Sequence, residues 1–472
     1  MTKKKSHITI TDQFCGAGGS SQGARNYGRS IGGGVEIKLA LNHWKLAIET
    51  HNTNFPDTDH DCTDISASDP RRYCSTDILI TSPECTNHTN GNGKKKPKKQ
   101  TELFTKAIID PSDERSRATM WDVARFAEYH SYNLIIVENV VEARKWVMFE
   151  SWLHAMYSLG YQHKCVYLNS MFCHPTPQSR DRMYVVFWKK GNKAPDLNFT
   201  PLAYCHKCEK DIHAIQSWKK KDEKFGKYNK QYVYCCPIHG DVVKPYYYAA
   251  FNCIDWSIPG RRIGDIKPKI VDNTLRRIDV GRKRFWLNEY DFNASPFIIK
   301  NEYTKASDSS YVRTIFDSLL TQSTRQTSGI CFNPMTPFIV ENKGQSTSRG
   351  IEKSISTFTT KEYHGIFSPQ KLTSYLSYYN GSSDVCSAIT SPVGTFTGTD
   401  RVALSYYDKE KIPDIQDCYY RTIKAHEVQI GMGFDNTYTV LGSSKDQVKQ
   451  LGNAVTPPAM EWLVGQCIKS LN

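Results

Sequence analysis

Between residues 8 and 190, short apolar runs alternate with segments of helical period, and this alternation constrains the fold more than any other feature. The apolar runs lie at 8–11, 37–41, 77–80, 134–137, 164–168 and 183–188. Helical stretches at 119–130 and 146–159 fall between them, and Met120, Val123, Ala124 and Ala127 share one helical face. Strand–helix alternation predicts an α/β chain: a largely parallel sheet with helices on both faces. In such sheets ligands bind beyond the carboxyl ends of the strands. The residues that follow each run are therefore where chemistry is expected.

The first run leads into FCGAGGSSQGA, in which Gly16, Gly18 and Gly19 permit a tight turn and close backbone approach. The helix after it would offer its N-terminus to a polar or anionic group, although a plain tight turn needs the same glycines. The second run ends at Asn42-His43-Trp44, where an acidic residue commonly holds a ribose. Trp44 could stack on an adenine or serve as an interface aromatic. Asp64-Ile65 closes the next short segment. The run at 77–80 breaks at Ser82-Pro83, and Cys85 follows, with the basic run Lys94 to Lys99 close behind. A thiol at a strand end, on a loop edged with lysines, suits a nucleophile aimed at a polyanion. A buried cysteine is the structural alternative. In LIIVENV (134–140) four apolar residues run straight into Glu138-Asn139. A carboxylate there costs desolvation unless it has a partner or a task. Gln178, Arg180 and Arg182 alternate as the chain enters the last run, which puts them on one face and suggests phosphate or base-edge contact.

Composition shifts after Lys190. Cys205-x-x-Cys208 and Cys236-Pro-Ile-His239 form two short-spaced pairs with 27 residues between them. That pattern predicts a tetrahedral zinc site in a small ribbon at about 203–241. Such a ribbon needs its metal to fold. Cys235 is the rival for Cys236. Lysines 219, 220, 221, 224, 227 and 230 are available to phosphate or to solvent. The stretch 252–285 is basic, with Arg261 and Arg262, and 272–284 predicts a helix with a basic face. From Pro296 the sequence repeats: PFIIKN (296–301), PFIVEN (337–342) and SYLSYYN (374–380) open three similar units, rich in Ser, Thr, Asn and Arg. Each unit predicts two short β segments around a polar loop, a composition suited to groove reading.

Five of these motifs, in order, resemble the cytosine-5 DNA methyltransferase family: the FxGxGG turn, the strand to Cys85, ENV, QxRxR, and GNAV at 452–455. The resemblance implies a Rossmann-like α/β fold that binds S-adenosylmethionine, with a β-rich target-recognition domain inserted. It implies Cys85 as the nucleophile and Glu138 as the acid that engages the ring nitrogen of the target base. Arg180 and Arg182 would be its active-site and backbone contacts. Phe14, Gly16, Gly18, Gly19, Trp44, Asp64, Ile65, Asn453 and Val455 would meet the cofactor. Gln178, Lys94, Lys95, Lys96, Arg261 and Arg262 are the candidate DNA contacts. Two positions depart from the family pattern. Glu84 stands where a proline usually precedes the cysteine, and His43 stands where many members carry an acid.

On this reading, catalytic segments 1–190 and 418–472 flank a recognition domain at 191–417, with the repeats at about 296–405. Lys+Arg 61 against Asp+Glu 48 gives a net charge of +13, which favours a polyanionic partner. Double-stranded DNA is the expected partner, with a cognate restriction endonuclease as a candidate second one, and a monomer is expected. No apolar run is long enough for a membrane span, and the first residues lack the apolar core of a signal peptide. Fifteen cysteines without such a signal predict a reducing compartment. That is the cytoplasm, near the nucleoid, of a bacterial or phage-infected cell. The alternatives are a branch that methylates tRNA, and a DNA-binding protein without catalysis.

Overall fold

The structure is a computed structural model. It describes residues 7–83, 111–253, 255, 257–258, 261–269, 272, 275, 414–422 and 424–471, together with the backbone of short strands between 297 and 404. The chain divides into two compact units, 1–247 with 432–472, and 248–431.

The first unit is built on a seven-stranded sheet. Its strands are β1 (Ile8–Gln13), β2 (Val35–Asn42), β3 (Asp59–Cys62), β4 (Ile78–Thr81), β5 (Leu134–Asn139), β6 (Tyr161–Asn169) and β8 (Asp181–Lys189), with the two-residue β7 (Gln178–Ser179) just ahead of β8. The order across the sheet is β3-β2-β1-β4-β5-β8-β6. Neighbours from β3 to β5 pair parallel, while β8 runs antiparallel to both β5 and β6. The largely parallel α/β sheet expected from the alternation is therefore present, with one reversed strand. The reversal follows from the short β6–β7–β8 connection, which leaves no room for a crossover helix.

Both faces are covered. Register aligns Leu39 with Thr11, Leu79 with Thr11, Ile135 with Leu79 and Phe187 with Ile135, so these side chains share a face. The leucines, Ile135 and Phe187 join one core with Met120, Val123 and Phe126 of α3 (Pro111–His130) and Trp152 and Met156 of α4 (Phe149–Ser158). Burying each such large apolar side chain contributes about 1.5–3 kcal/mol. Helices α1 (Gly19–Ser30) and α2 (Lys45–Asn54) pack against β2, and α1 also packs against the C-terminal helix Pro457–Leu471. That approach depends on glycine. A Cβ on Gly23 would lie 2.4 Å from Pro457 O, and one on Gly19 would lie 2.0 Å from Val455 O.

Residues 191–247 belong to this same unit, whereas the composition shift draws a boundary after Lys190. They form a Cys/His module of two small antiparallel sheets. One pairs β9 (Leu202–Cys205) with β10 (Lys210–His213). The other joins β11 (Ile215–Trp218), β12 (Tyr232–Cys235) and β13 (Val242–Val243). Ala203, Ile212, Tyr232, Tyr234 and Val243 lie in the same apolar cluster as the sheet and α3. The module therefore has no separate core.

In the second unit the three sequence repeats share one pairing. The strand Phe297–Asn301 runs antiparallel to Ser328–Cys331, with Phe297 opposite Cys331 and Ile299 opposite Gly329. Phe338–Glu341 pairs with His364–Pro369 in the same register, Phe338 opposite Phe367 and Val340 opposite Gly365. Tyr375–Asn380 pairs antiparallel with Val402–Leu404. Each repeat thus closes on itself by pairing its first strand with its last. Of the basic helix expected at 272–284, only Asp272 and Leu275 are described, both helical. Among the described residues no helix is long and apolar enough to cross a membrane.

Candidate active site and metal centre

The carboxyl ends of β1, β2 and β3 lie side by side, with Gln13 opposite Leu41 and Asn42 opposite Cys62. The turns that leave them carry most of the expected cofactor contacts. Phe14, Gly16 and Gly18 all have positive φ, at 56°, 52° and 84°. That left-handed path folds the chain back so that Gly18 caps α1. A Cβ on Gly16 would meet only Phe14 O, at 3.9 Å, so the turn is open on that side. Trp44 N donates to Asn42 Oδ1 at 2.9 Å, which fixes the second turn. Lys449 Nζ lies 4.3 Å over one face of the Trp44 ring. Asp64 is exposed and Ile65 is buried after it. The nine expected contacts thus separate into two kinds. Phe14, Gly16, Trp44, Asp64 and Asn453 are at least partly accessible, while Gly18, Gly19, Ile65 and Val455 are buried. An open turn, an aromatic ring and a carboxylate at adjoining strand ends fit a nucleoside-bearing cofactor.

Under this rim lies a polar network. Ser21 Oγ donates to Asp12 Oδ2 at 2.7 Å and sits 2.9 Å from His51 Nε2, whose Nδ1 is 2.7 Å from His60 Nε2. Burial pushes the Asp12 carboxyl up to about 7 despite the Ser21 hydrogen bond. Burial also holds His51 well below the ordinary imidazole range, with His60 adding to the effect. Tyr438 Oη donates to Ala17 O, which ties the C-terminal segment to the turn.

The second cluster lies at the carboxyl end of β5 and the start of β8, next to the segment that leaves β4. Arg182 Nε is 2.8 Å from Glu138 Oε1, and the two side chains are only 11% and 10% exposed. Antiparallel register sets this up, with Glu138 opposite Tyr184 and Asn139 opposite Met183. Arg182 Nη1 also donates to Asp181 O at 3.0 Å. Asn139 Nδ2 donates to Pro83 O at 3.4 Å, which fixes the chain as it leaves β4. Cys85, Glu84 and Lys94, Lys95 and Lys96 lie outside the described residues.

Arg180 is buried, and its guanidinium donates to Gly452 O at 3.2 Å and Ala454 O at 3.1 Å. It holds the GNAV backbone, which in turn abuts Gly19. Gln178 is fully buried, with Nε2 toward Met432 Sδ at 3.2 Å. Arg261 and Arg262 form a short strand paired with Tyr419 and Tyr420 in the second unit.

Cys205, Cys208, Cys236 and His239 converge, their ligand atoms all within 4.8 Å of one another. Cys208 Sγ is 3.7 Å from Cys236 Sγ and 3.3 Å from His239 Nδ1, and Cys205 Sγ is 3.8 Å from the same nitrogen. A tetrahedron with metal–sulfur bonds of about 2.3 Å has edges of about 3.8 Å, so the donor set fits a zinc ion. Backbone N–H groups, that of His239 first, pull the Cys236 thiol down to about 6. Cys235 is not in the group. It ends β12, where Ile215 is its pairing partner.

Sequence reasoning missed two side chains and the partner of a third. Arg125 Nη2 donates to Ile65 O at 2.5 Å and Nη1 to Ser68 O, which pins the turn after Asp64. Asp181 is buried, and its Oδ1 accepts the Tyr228 N–H at 2.9 Å. Burial pushes its carboxyl up to about 6. Lys227, one of the lysines available to phosphate or to solvent, pairs with Glu142 Oε1 at 2.6 Å. None of these pairings is local, so no spacing in the chain signals them.

The family of C-5 cytosine-specific DNA methylases matches residues 8–469. Among solved structures, the Entamoeba histolytica methyltransferase EhMeth is similar at 12% identity and TM-score 0.48, covering 99% of this chain and 100% of its own. A Spodoptera frugiperda DNMT2 mutant is similar at 13% identity and TM-score 0.47, covering 98% and 99%. A putative DNA modification methyltransferase encoded within an Escherichia coli prophage is similar at 13% identity and TM-score 0.43, again covering 98% and 99%. None of the curated proteins matches the sequence.

Proposed function

The chain belongs to the C-5 cytosine-specific DNA methylase family, and from that premise we propose that it methylates carbon 5 of a cytosine flipped out of duplex DNA. The observation that carries the reading is the buried Glu138–Arg182 pair beside the segment that leads to Cys85. A stacked base cannot offer its ring carbons to a thiol, so the target leaves the helix. The Cys85 thiolate adds to carbon 6 while Glu138, oriented by Arg182, delivers a proton or hydrogen bond to the ring nitrogen. Electron density then rises at carbon 5. S-adenosylmethionine, when bound, supplies the electrophilic methyl group. Loss of the carbon-5 proton and expulsion of Cys85 restore the aromatic ring. The covalent step splits one difficult substitution into two easier ones.

Phe14, Gly16, Trp44, Asp64 and Asn453 would hold the cofactor. Arg180 keeps the GNAV backbone against Gly19. Zinc in the Cys205, Cys208, Cys236 and His239 group would order the module around it. Lys94, Lys95 and Lys96 would grip phosphate. The second unit, with Arg261, Arg262 and the repeated strand pairs, is the recognition element.

A covalent trap tests the reading. With S-adenosylmethionine present, duplex DNA carrying 5-fluorocytosine should form an adduct that withstands denaturation, because methylated carbon 5 then has no proton to lose, and Cys85→Ala should form none. An adduct with a 5-fluorocytosine tRNA and none with duplex DNA would move the substrate to RNA. An adduct that survives Cys85→Ala would overturn the mechanism.

A further inference from the structure

We propose that the Cys/His module is a positioning clamp for the Glu138–Arg182 pair, acting through Lys227 and the Tyr228 N–H. The proposal rests on the reading of Glu138 as the group that engages the base. Residues 219–231 join β11 to β12, and two consecutive residues among them bond to the segments that flank the pair. Lys227 Nζ bonds Glu142 Oε1 at 2.6 Å, four residues beyond Glu138. Tyr228 N donates to Asp181 Oδ1 at 2.9 Å, one residue before Arg182. The loop therefore fastens the exit of β5 and the entry of β8 together.

The anchorage is wide. Lys145 Nζ lies 5.8 Å from the Phe225 ring centre, and Phe172 meets Tyr228 and Tyr234 edge-on at 4.8 and 5.3 Å. Gln216 Nε2 donates to Tyr167 O at 2.8 Å. Behind the loop the hairpin runs back to the metal ligands, since β12 ends at Cys235 and Cys236 follows. A module of this size that needs its metal to fold would transmit metal loss along that hairpin to the clamp. Glu142 and Asp181 lie two-thirds or more within the protein, where each ion pair or hydrogen bond restrains more than it would in water.

Lys227 is thus a positioning residue. The test uses the full chain and reads hydrogen–deuterium exchange of peptides spanning 134–145 and 178–189, zinc content, and turnover on unmethylated genomic DNA. Lys227→Met is expected to keep its zinc, to speed exchange in both peptides, and to lower kcat by about 10- to 100-fold. KM for the cofactor should stay as in the wild type, and Lys227→Arg should restore both exchange and kcat. Chelation of the wild-type chain should speed exchange in the same two peptides. Unchanged exchange in Lys227→Met would overturn the clamp, even if turnover falls. A wild-type chain that transfers no methyl group to DNA would instead count against the proposed reaction, and the exchange readout would still decide the clamp.

Discussion

Arg182 and Glu138 form a 2.8 Å ion pair at the junction of two antiparallel strands, and both side chains are about nine-tenths buried. Removing one member leaves the other charge in a poorly solvated site. Arg182→Met should therefore destabilise the fold by about 3 kcal/mol, measured by urea denaturation. Glu138→Gln should lower methyl transfer by about 10²–10⁴-fold while cofactor affinity holds. Wild-type turnover in Glu138→Gln would remove it from the chemistry.

Gly19 has no room for a side chain. Its Cβ would fall 2.0 Å from the Val455 carbonyl, which Arg180 fixes through its bonds to Gly452 and Ala454. Gly19→Ala should cost about 1–3 kcal/mol of stability and weaken cofactor binding. An alanine variant that melts with the wild type would mean that the C-terminal segment can move aside.

The metal group discriminates between adjacent cysteines. Cys236 lies with the other three donors and Cys235 does not. Zinc released by a thiol reagent should vanish in Cys236→Ser and persist in Cys235→Ser. Equal zinc in both variants would reject the donor set.

The buried carboxyls give a pH signature. Asp12 rises from an ordinary value of 3.8 to about 7 in the folded chain, and Asp181 to about 6, both chiefly through burial. Between the ordinary value and the raised one, the unfolded chain has released a proton that the folded chain still holds. These two groups therefore make stability fall as pH rises through that window, and the loss is complete above it. Asparagine imitates the protonated form. The melting temperature of Asp12→Asn minus that of the wild type should grow between about pH 4 and about pH 8. A difference that shrinks over that range would contradict the assignment.

The sequence by itself determined the α/β architecture, because apolar runs and helical periods are properties of consecutive residues. It also singled out the Gly-rich turn, Glu138, and the two Cys/His pairs, since tight turns and metal ligands impose short spacings. The repeats from Pro296 were legible for the same reason, and their strand pairs recur in register. What only the tertiary structure decided are pairings across long separations. Gln178 and Arg180 share one face in the chain and suggest phosphate or base-edge contact; the fold buries both, and Arg180 donates to a backbone more than 270 residues away. Lys227 looks like one more solvated lysine, yet packing brings the β11–β12 connection to Glu142 and Asp181, and Lys227 pairs with Glu142. Local pattern encodes which elements form, whereas the partner of a charged side chain is set by the register and packing that bring distant elements together.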